Sequence, residues 1–355
     1  MVRPRLLSSC SRAESIIRSK HSGVHMGVTA VGSMRQTVLG PTESGLRRSG
    51  VASTLKDLDL SRIDDPTRQP DFLLATDDAL GFLRALPPVP IFDLVVTSPP
   101  YNIGKSYEKP QELGAYLAWQ ESVIRQIHPR LRDTGSVCWQ VGNFVENGTI
   151  LPLDIELAPV FKRLGMQLRN RIVWRFGHGM HSQRRFSGRY EVILWYTKTD
   201  DYVFDLDAVR IPSKYPGKRY YRGPKKGQYS GHQLGKNPED VWDIPNVKSN
   251  HVEKTIHPCQ FPVGLVERLV LSMTQKSALV FDPFAGVASS GVAAAVHGRR
   301  FWGVEKVAEY VKVGRRRIQD ALDGHPAYRP HDKPIMDPAE SPLSIRTRKE
   351  NDDED

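Results

Sequence analysis

The stretch that most narrows what this chain can fold into is SALVFDPFAG (Ser277 to Gly286), followed by SSGVAAAVHG (Ser289 to Gly298) and FWGVEK (Phe301 to Lys306). Two short apolar runs separated by an Ala-rich, helix-spaced segment read as one strand–helix–strand unit. A connection of that kind joins parallel strands. Gly286, just before the helix, lets backbone approach a ligand closely. In open α/β sheets ligands bind outside the carboxyl ends of the strands, which makes this loop a candidate binding site.

The chemistry of the loop narrows the ligand. Glu305 ends the second strand about 20 residues past the glycine, where a carboxylate can bind ribose hydroxyls. The G-x-G-x-x-G dinucleotide fingerprint is missing. Asp282 instead puts a carboxylate at the strand tip, unsuited to a pyrophosphate and suited to an amino group. Taken singly, Asp282 reads equally as a helix cap and Glu305 as a solvated strand end. Occurring in one unit, they favour a ligand with a ribose, a cationic amine and no phosphate. S-adenosylmethionine (SAM) is such a ligand.

The same alternation runs through most of the chain. PDFLLAT (Pro70 to Thr76) and IFDLVVTS (Ile91 to Ser98) read as buried strands, with a helix over Asp77 to Leu86 that Asp77 or Asp78 would cap. Leu113 to Leu131 has helical spacing, Gly135 to Gly142 is a strand, and Pro152 to Gly165 a helix. RNRIVWRF and EVILWYT are strand-like. Phe261 to Met273 is an amphipathic helix, and Val307 to Leu322 the last one. Strands alternating with helices predict a doubly wound, mostly parallel sheet. The first 55 residues, rich in Arg and Ser and poor in acids, read as a disordered or over-extended start, although a transit peptide shares that composition. Residues 326–355, with several prolines and a KENDDED end, read as a solvated, disordered tail. Residues 56–325 are the expected domain.

TSPPYN (Thr97 to Asn102) ends the second strand. Its adjacent prolines remove two backbone donors and fix two φ angles, and Ser98 is pushed toward extended geometry. The loop stiffly displays a hydroxyl, a carbonyl and a ring on the same rim as Asp282 and Glu305. An exocyclic amino group has its lone pair delocalised into its ring and must pyramidalise to attack a methyl sulfonium. Acceptors fixed beside its N–H bonds favour that state. Ser98 Oγ and the Pro99 carbonyl can serve, with little reorganisation. Tyr101 offers a face on which an extruded base can stack.

These motifs together resemble the amino-directed, SAM-dependent DNA methyltransferases. TSPPY after IFDLVV, FDPFAG before an Ala-rich helix, and WGVE follow the order of the family's beta class, catalytic motif first. The resemblance covers roughly Asp71 to Leu322 and implies a Rossmann-like α/β fold. It implies a catalytic half over about 70–175, an inserted basic target-recognition region over about 176–254 and a SAM-binding half over about 255–325. It assigns catalysis to Ser98, Pro99, Pro100 and Tyr101, and cofactor contacts to Asp282, Pro283, Phe284, Gly286 and Glu305. TIHPCQFP matches the segment lining the methionine pocket, which assigns Thr255, His257, Pro258 and Phe261, and Asp77 matches the acid that contacts the adenine of SAM. Ser at the first position of the motif looks like N4-cytosine enzymes; Asp or Asn there is typical of N6-adenine enzymes, which remain the alternative. A DNA-binding protein with a dead site is the third reading. The Pro258–Cys259 pair of cytosine-C5 enzymes is a rival that fails on order, since Cys259 precedes FDPFAG and no Glu-Asn-Val follows. Cys138 reads as core.

Charge indicates the partner. The 355 residues carry a formal net charge of +10 and a pI near 9.5, which favours a polyanion. Between Phe176 and Lys254 the chain is rich in Arg, Lys, Tyr and Gly, suited to phosphates and unstacked bases. Arg184, Arg185, Lys218, Arg219, Lys225 and Lys226 are the candidate contacts to double-stranded DNA. His178, His181 and His232 are not spaced like metal ligands, and direct methyl transfer needs no metal. Three scattered cysteines favour a reducing compartment, here the bacterial or archaeal cytosol, and no apolar run approaches the roughly 18 residues of a membrane span. A homodimer and a companion restriction endonuclease stay open as further partners.

Overall fold

A computed structural model describes residues 50–102, 111–146, 148–177, 179 and 181–334. The expectations for residues 1–49 and 335–355, and the one for His178, lie outside the described residues. In chain order the elements are β1 (Phe72–Thr76), α1 (Ala79–Ala85), β2 (Phe92–Thr97), α2 (Leu113–Ile127), β3 (Leu131–Val141), β4 (Asn143–Glu146), β5 (Thr149–Pro152), α3 (Leu153–Arg163) and β6 (Gln167–Arg175). Then follow β7 (Tyr190–Thr197), β8 (Val241–Asp243), α4 (Val263–Met273), β9 (Leu279–Asp282), α5 (Ser289–Val296), β10 (Arg300–Glu305) and α6 (Ala308–Leu322).

The main sheet has the order β1-β10-β9-β2-β3-β7-β6-β8, with β7 antiparallel to both of its neighbours and all other pairs parallel. The expected Rossmann-like, doubly wound, mostly parallel α/β fold is what the chain adopts. The apolar runs have a simple cause, because each central strand is covered on both faces. Along β2, Phe92 and Val95 pack into the layer of α1, α2 and α3, while Leu94 and Val96 pack into that of α4, α5 and α6. Phe92 stacks on Phe281 of β9 with ring centroids 4.3 Å apart, tying the two motif-bearing strands together beneath the rim.

Local choices agree with this frame. Asp78 caps α1, accepting from Leu80 N and Gly81 N, so Asp77 stays available at the strand end. The helix from Leu113 stops at Ile127 because His128-Pro129 follows and the chain turns into β3 four residues earlier than expected. A two-stranded hairpin, β4 and β5, carries no signal that the sequence reading used.

Both expected domain ends need correction. Ala52 bridges to Leu73, and its backbone N donates to Phe72 O at 2.8 Å, so the ordered chain starts before residue 56. Residues 326–334 lie over α4 rather than beginning a tail. Tyr328 OH donates to Glu267 Oε1 at 3.0 Å, and His331 N donates to Glu267 Oε2 at 2.7 Å. Glu267 is 3 % exposed. A buried carboxylate needs such donors, and hydropathy alone does not reveal which distant segment supplies them.

Candidate active site

A cavity of about 820 Å³ opens at the carboxyl ends of β1, β2, β3, β9 and β10. That is the size range of a small-molecule site. It is lined by Asp77, Gly286 and Glu305, by Ser98, Pro99, Pro100 and Tyr101, and by His257, Pro258, Phe261, Pro283 and Phe284. The two motifs singled out in the sequence therefore share one cavity, although they are about as far apart in the chain as β2 and β9.

Beyond the pairing of β2 with β9, a buried side-chain contact joins them at the rim. Thr97, the last residue of β2, donates its hydroxyl to Asp282 Oδ1 at 2.6 Å. Asp282 Oδ1 also accepts from Phe284 N at 3.0 Å, and Oδ2 accepts from Ser290 Oγ at 2.5 Å. The residue is fully buried and does not line the cavity. Burial pushes its carboxyl up to about 6. The expectation that Asp282 faces a ligand amine is thus corrected: both of its oxygens brace the two loops. Thr255 is corrected in the same way. It lies outside the cavity lining, donates to Gln260 Oε1 at 2.7 Å and accepts from His257 N at 3.2 Å, shaping the turn that delivers His257.

Glu305 does reach the cavity. Oε2 accepts from Gly286 N at 3.0 Å and Oε1 from Val307 N at 2.8 Å. Each carboxylate oxygen has a second lone pair, and burial raises the pKa of the group. Asp77 N donates to Glu305 O at 3.1 Å, which sets the two acids side by side. Gly286 has φ +51, and a Cβ there would sit 3.2 Å from His257 Nε2. The room that glycine leaves here is taken by the His257 ring. His257 packs edge-on against Tyr310, and burial lowers its pKa to about 4, so the imidazole is neutral. Two acids beside a glycine and a neutral imidazole suit a ligand bearing hydroxyl donors, and Lys306 is the one lysine or arginine among the described lining residues.

Pro100 O accepts from Tyr116 OH at 2.8 Å. Asn102, at φ 61, holds Gln111 through two hydrogen bonds, Nδ2 to Gln111 O at 2.8 Å and Oδ1 from Gln111 N at 2.7 Å. Tyr101 is a neutral phenol whose pKa is raised first by burial and then by the nearby Glu191. Its OH donates to Gln140 Oε1 at 2.6 Å and lies 3.0 Å from Ser98 Oγ and 3.2 Å from Glu191 Oε2. Gly142 leaves room for the Tyr101 ring, 3.3 Å from where a Cβ would stand.

Several lining residues were not singled out from the sequence: Gln140, Glu191, Trp119, Trp174, Phe176 and Asn246. A usable signal existed for two of them. Gln140 is the polar residue within the apolar end of GSVCWQVG, and Glu191 is the charge inside YEVILWYT. Cys259 also lines the cavity, whereas Cys138 is buried against Met273.

None of the six candidate DNA contacts lines the cavity. Arg184 and Arg185 are exposed on the loop between β6 and β7; Phe176 at its start and Glu191, the second residue of β7, do line it. Arg185 Nη1 donates to Gly148 O at 3.2 Å, in the β4–β5 turn. Lys218, Arg219, Lys225 and Lys226 are exposed around a bridge between Arg219 and Tyr229. Arg219 stacks 4.0 Å over the Tyr229 ring. No helix among the described residues is long and apolar enough to cross a membrane.

Comparison with known proteins places this arrangement. The profile of the N6_N4_Mtase family, described as DNA methylase, matches residues 92–316. The type II methyltransferase M.BglII of Bacillus subtilis is 48% identical over 247 residues, covering 69% of this chain and 68% of its own. The DNA adenine methyltransferase YhdJ of Escherichia coli (strain K12) is 32% identical over 249 residues, covering 69% and 81%. The solved structure of the cytosine-N4-specific PvuII DNA methyltransferase superposes with a TM-score of 0.55 at 20% identity, over 70% of this chain and 90% of that one, which is a likeness of fold.

Proposed function

The chain belongs to the DNA methylase family of N6- and N4-directed methyltransferases, and from that premise we propose that it methylates the exocyclic N4 of a flipped-out cytosine in duplex DNA. The observation that carries the reading is Ser98, a hydroxyl in the first position of a proline-stiffened SPPY loop, in the same cavity as the two acids. In N6-adenine enzymes that position is typically Asp or Asn.

The residues divide the work by position. Glu305 and Asp77 hold the ribose and adenine of SAM, and Phe261, Pro258 and His257 wall the methionine part. Asp282 contributes indirectly by fixing both loops. When bound, SAM would supply the methyl group as an electrophile, the electron pair of its C–S bond staying with sulfur as the C–N bond forms, and the methylated amine would release one proton to water. Ser98 Oγ and the Pro99 carbonyl accept from the two N–H bonds of the base and favour the pyramidal nitrogen that reacts. The Tyr101 ring supports the base. Pulling the base from the stack costs a few kcal/mol, which phosphate contacts from Arg184, Arg185 and the Lys218–Lys226 region offset. The enzyme works where DNA is accessible, in the bacterial or archaeal cytosol, with a restriction endonuclease as its natural counterpart and either one copy or two on the DNA.

The relative YhdJ, whose name specifies adenine, supports the N6 reading as the alternative. Mass spectrometry of nucleosides from DNA incubated with the protein and SAM separates the two. N4-methylcytosine is expected, and N6-methyladenine alone would overturn the choice of base.

A further inference from the structure

We propose that Glu191 is a positioning residue for methyl transfer, acting through Gln140 and Tyr101 to hold Ser98 Oγ as a hydrogen-bond acceptor toward the amine. The proposal rests on the reading above and adds to it a reason why Ser98 accepts rather than donates.

A serine hydroxyl is ambiguous, since it can donate one proton and accept two. Pointed at an amino group, its own hydrogen would oppose the N–H bonds it has to receive. Something must turn that hydrogen away. The chain of contacts does so one link at a time. Glu191 reaches in from the start of β7, and when ionised it can only accept. Gln140, 3% exposed at the end of β3, therefore turns its Nε2 to Glu191 Oε2, at 2.5 Å. That leaves Gln140 Oε1 facing Tyr101 OH at 2.6 Å, where the phenol must be the donor. The phenol has one proton and has now used it. At its 3.0 Å contact with Ser98 Oγ the phenol oxygen must accept. The Ser98 hydrogen is drawn back into the protein, and only lone pairs face the cavity.

The order holds because one end of the chain is charged. If Glu191 takes a proton, its carboxyl can donate to Gln140 Oε1 once the amide turns over. Gln140 Nε2 then donates to Tyr101, Tyr101 donates to Ser98, and the Ser98 hydrogen swings into the cavity. A neutral end therefore permits both directions, and an ionised end permits one. The groups facing Glu191 are Tyr101 from the SPPY loop, Gln140 and Gly142 from β3, and its register partner Trp174 on β6. No basic side chain among the described residues contributes to its ionisation, and burial raises its carboxyl to about 7. The state of the chain thus changes near neutral pH.

No bond in the transfer step is altered by this proposal; it concerns only where three hydrogens point. The test is the single-turnover rate of methyl transfer to a duplex oligonucleotide at saturating SAM, followed from pH 6 to pH 8.5 and read as methylated nucleoside. Single turnover isolates chemistry from product release. The wild-type rate is expected to rise through a midpoint near 7. Glu191→Gln, which supports both directions at every pH, should be flat and about ten-fold slower at pH 8, the scale of one hydrogen bond. Gln140→Leu leaves Tyr101 OH only its direct contact to Glu191 Oε2 at 3.2 Å, and should lower the rate at pH 8 while keeping a rise. Glu191→Asp, which keeps the charge, should keep a rise. SAM affinity and the thermal melt of each variant report folding, and both should stay near wild type. A Glu191→Gln profile that rises as wild type does would overturn the proposal, as would loss of activity together with loss of SAM binding. If wild-type protein produces no methylated amine at any pH, the reading of the site fails first, and this proposal with it.

Discussion

Replacing Asp282 by Asn separates the two roles this carboxylate could play. If its charge holds the ammonium of the cofactor, the amide removes an ion pair. If it braces two loops, as its contacts indicate, an amide of the same shape can keep most of them. Asn can offer its carbonyl oxygen to Thr97 Oγ1 and Phe284 N, and its Nδ2 to Ser290 Oγ, which then accepts. Burial lifts the carboxyl from 3.8 to about 6, roughly two pH units, or ~3 kcal/mol against the charged form at about 1.36 kcal/mol per unit. The folded pKa lies above the unfolded one. The corresponding stability is therefore complete below about pH 4 and lost as pH rises through about 6. Asn forfeits about 1–2 kcal/mol of charge-assisted hydrogen bonding but carries no such ionisation penalty. At pH 8 the variant should therefore lie within about 2 kcal/mol of wild type in urea unfolding. Between pH 5 and pH 8 the difference should move in its favour by about 1 kcal/mol. Calorimetric titration with SAM at pH 8 should give close to wild-type affinity. A fall of about 100-fold or more, roughly 2.7 kcal/mol, in a variant of unchanged stability would mean that the charge faces the ligand and that the bracing role is wrong.

Three further outcomes follow from the same geometry. Ser98→Ala should cut the transfer rate by about 10²–10³-fold, the scale of one preorganised polar group, while SAM titrates normally; full activity would refute the mechanism. Gly286→Ala forces a side chain into φ +51 and places its Cβ 3.2 Å from His257 Nε2. It should destabilise the loop by about 1–3 kcal/mol and weaken SAM binding in calorimetry, with DNA affinity unchanged. Joint replacement of Arg184 and Arg185 by Ala should weaken DNA binding evenly across sequences and flatten the plot of log affinity against log salt by about one unit per lost phosphate contact. An unchanged slope in fluorescence anisotropy would remove these two from the interface.

The fold was legible because its cause is one-dimensional. Strands covered on both faces must be apolar throughout, as FLLAT, LVFD and RFWGVE nearly are, and the helices between them must carry one apolar face. Loop chemistry was legible for a related reason: a double proline or a glycine before a helix restricts backbone whatever surrounds it. Thus the residues of SPPY, together with Pro283, Phe284, Gly286 and Glu305, line one cavity. What the sequence could not settle is where a side chain at a strand tip points. Asp282 reads in one dimension as a ligand acid or as a helix cap, and the answer depends on Thr97, 185 residues away, and on Ser290, the second residue of α5. Gln140 and Glu191 are silent for the same reason. Each is one polar residue in an apolar strand until β3 and β7 pair antiparallel and place both beside Tyr101. The segment after α6 gave no signal because it answers to the buried carboxylates Glu267 and Glu253 rather than to a periodic apolar stripe of its own. Periodicity and loop chemistry determined which strand ends meet at the rim. Only the sheet order decided which polar atoms there are spent on one another and which are left to face a ligand, because hydrogen bonds are satisfied between neighbours in space and the sequence does not state who those neighbours are.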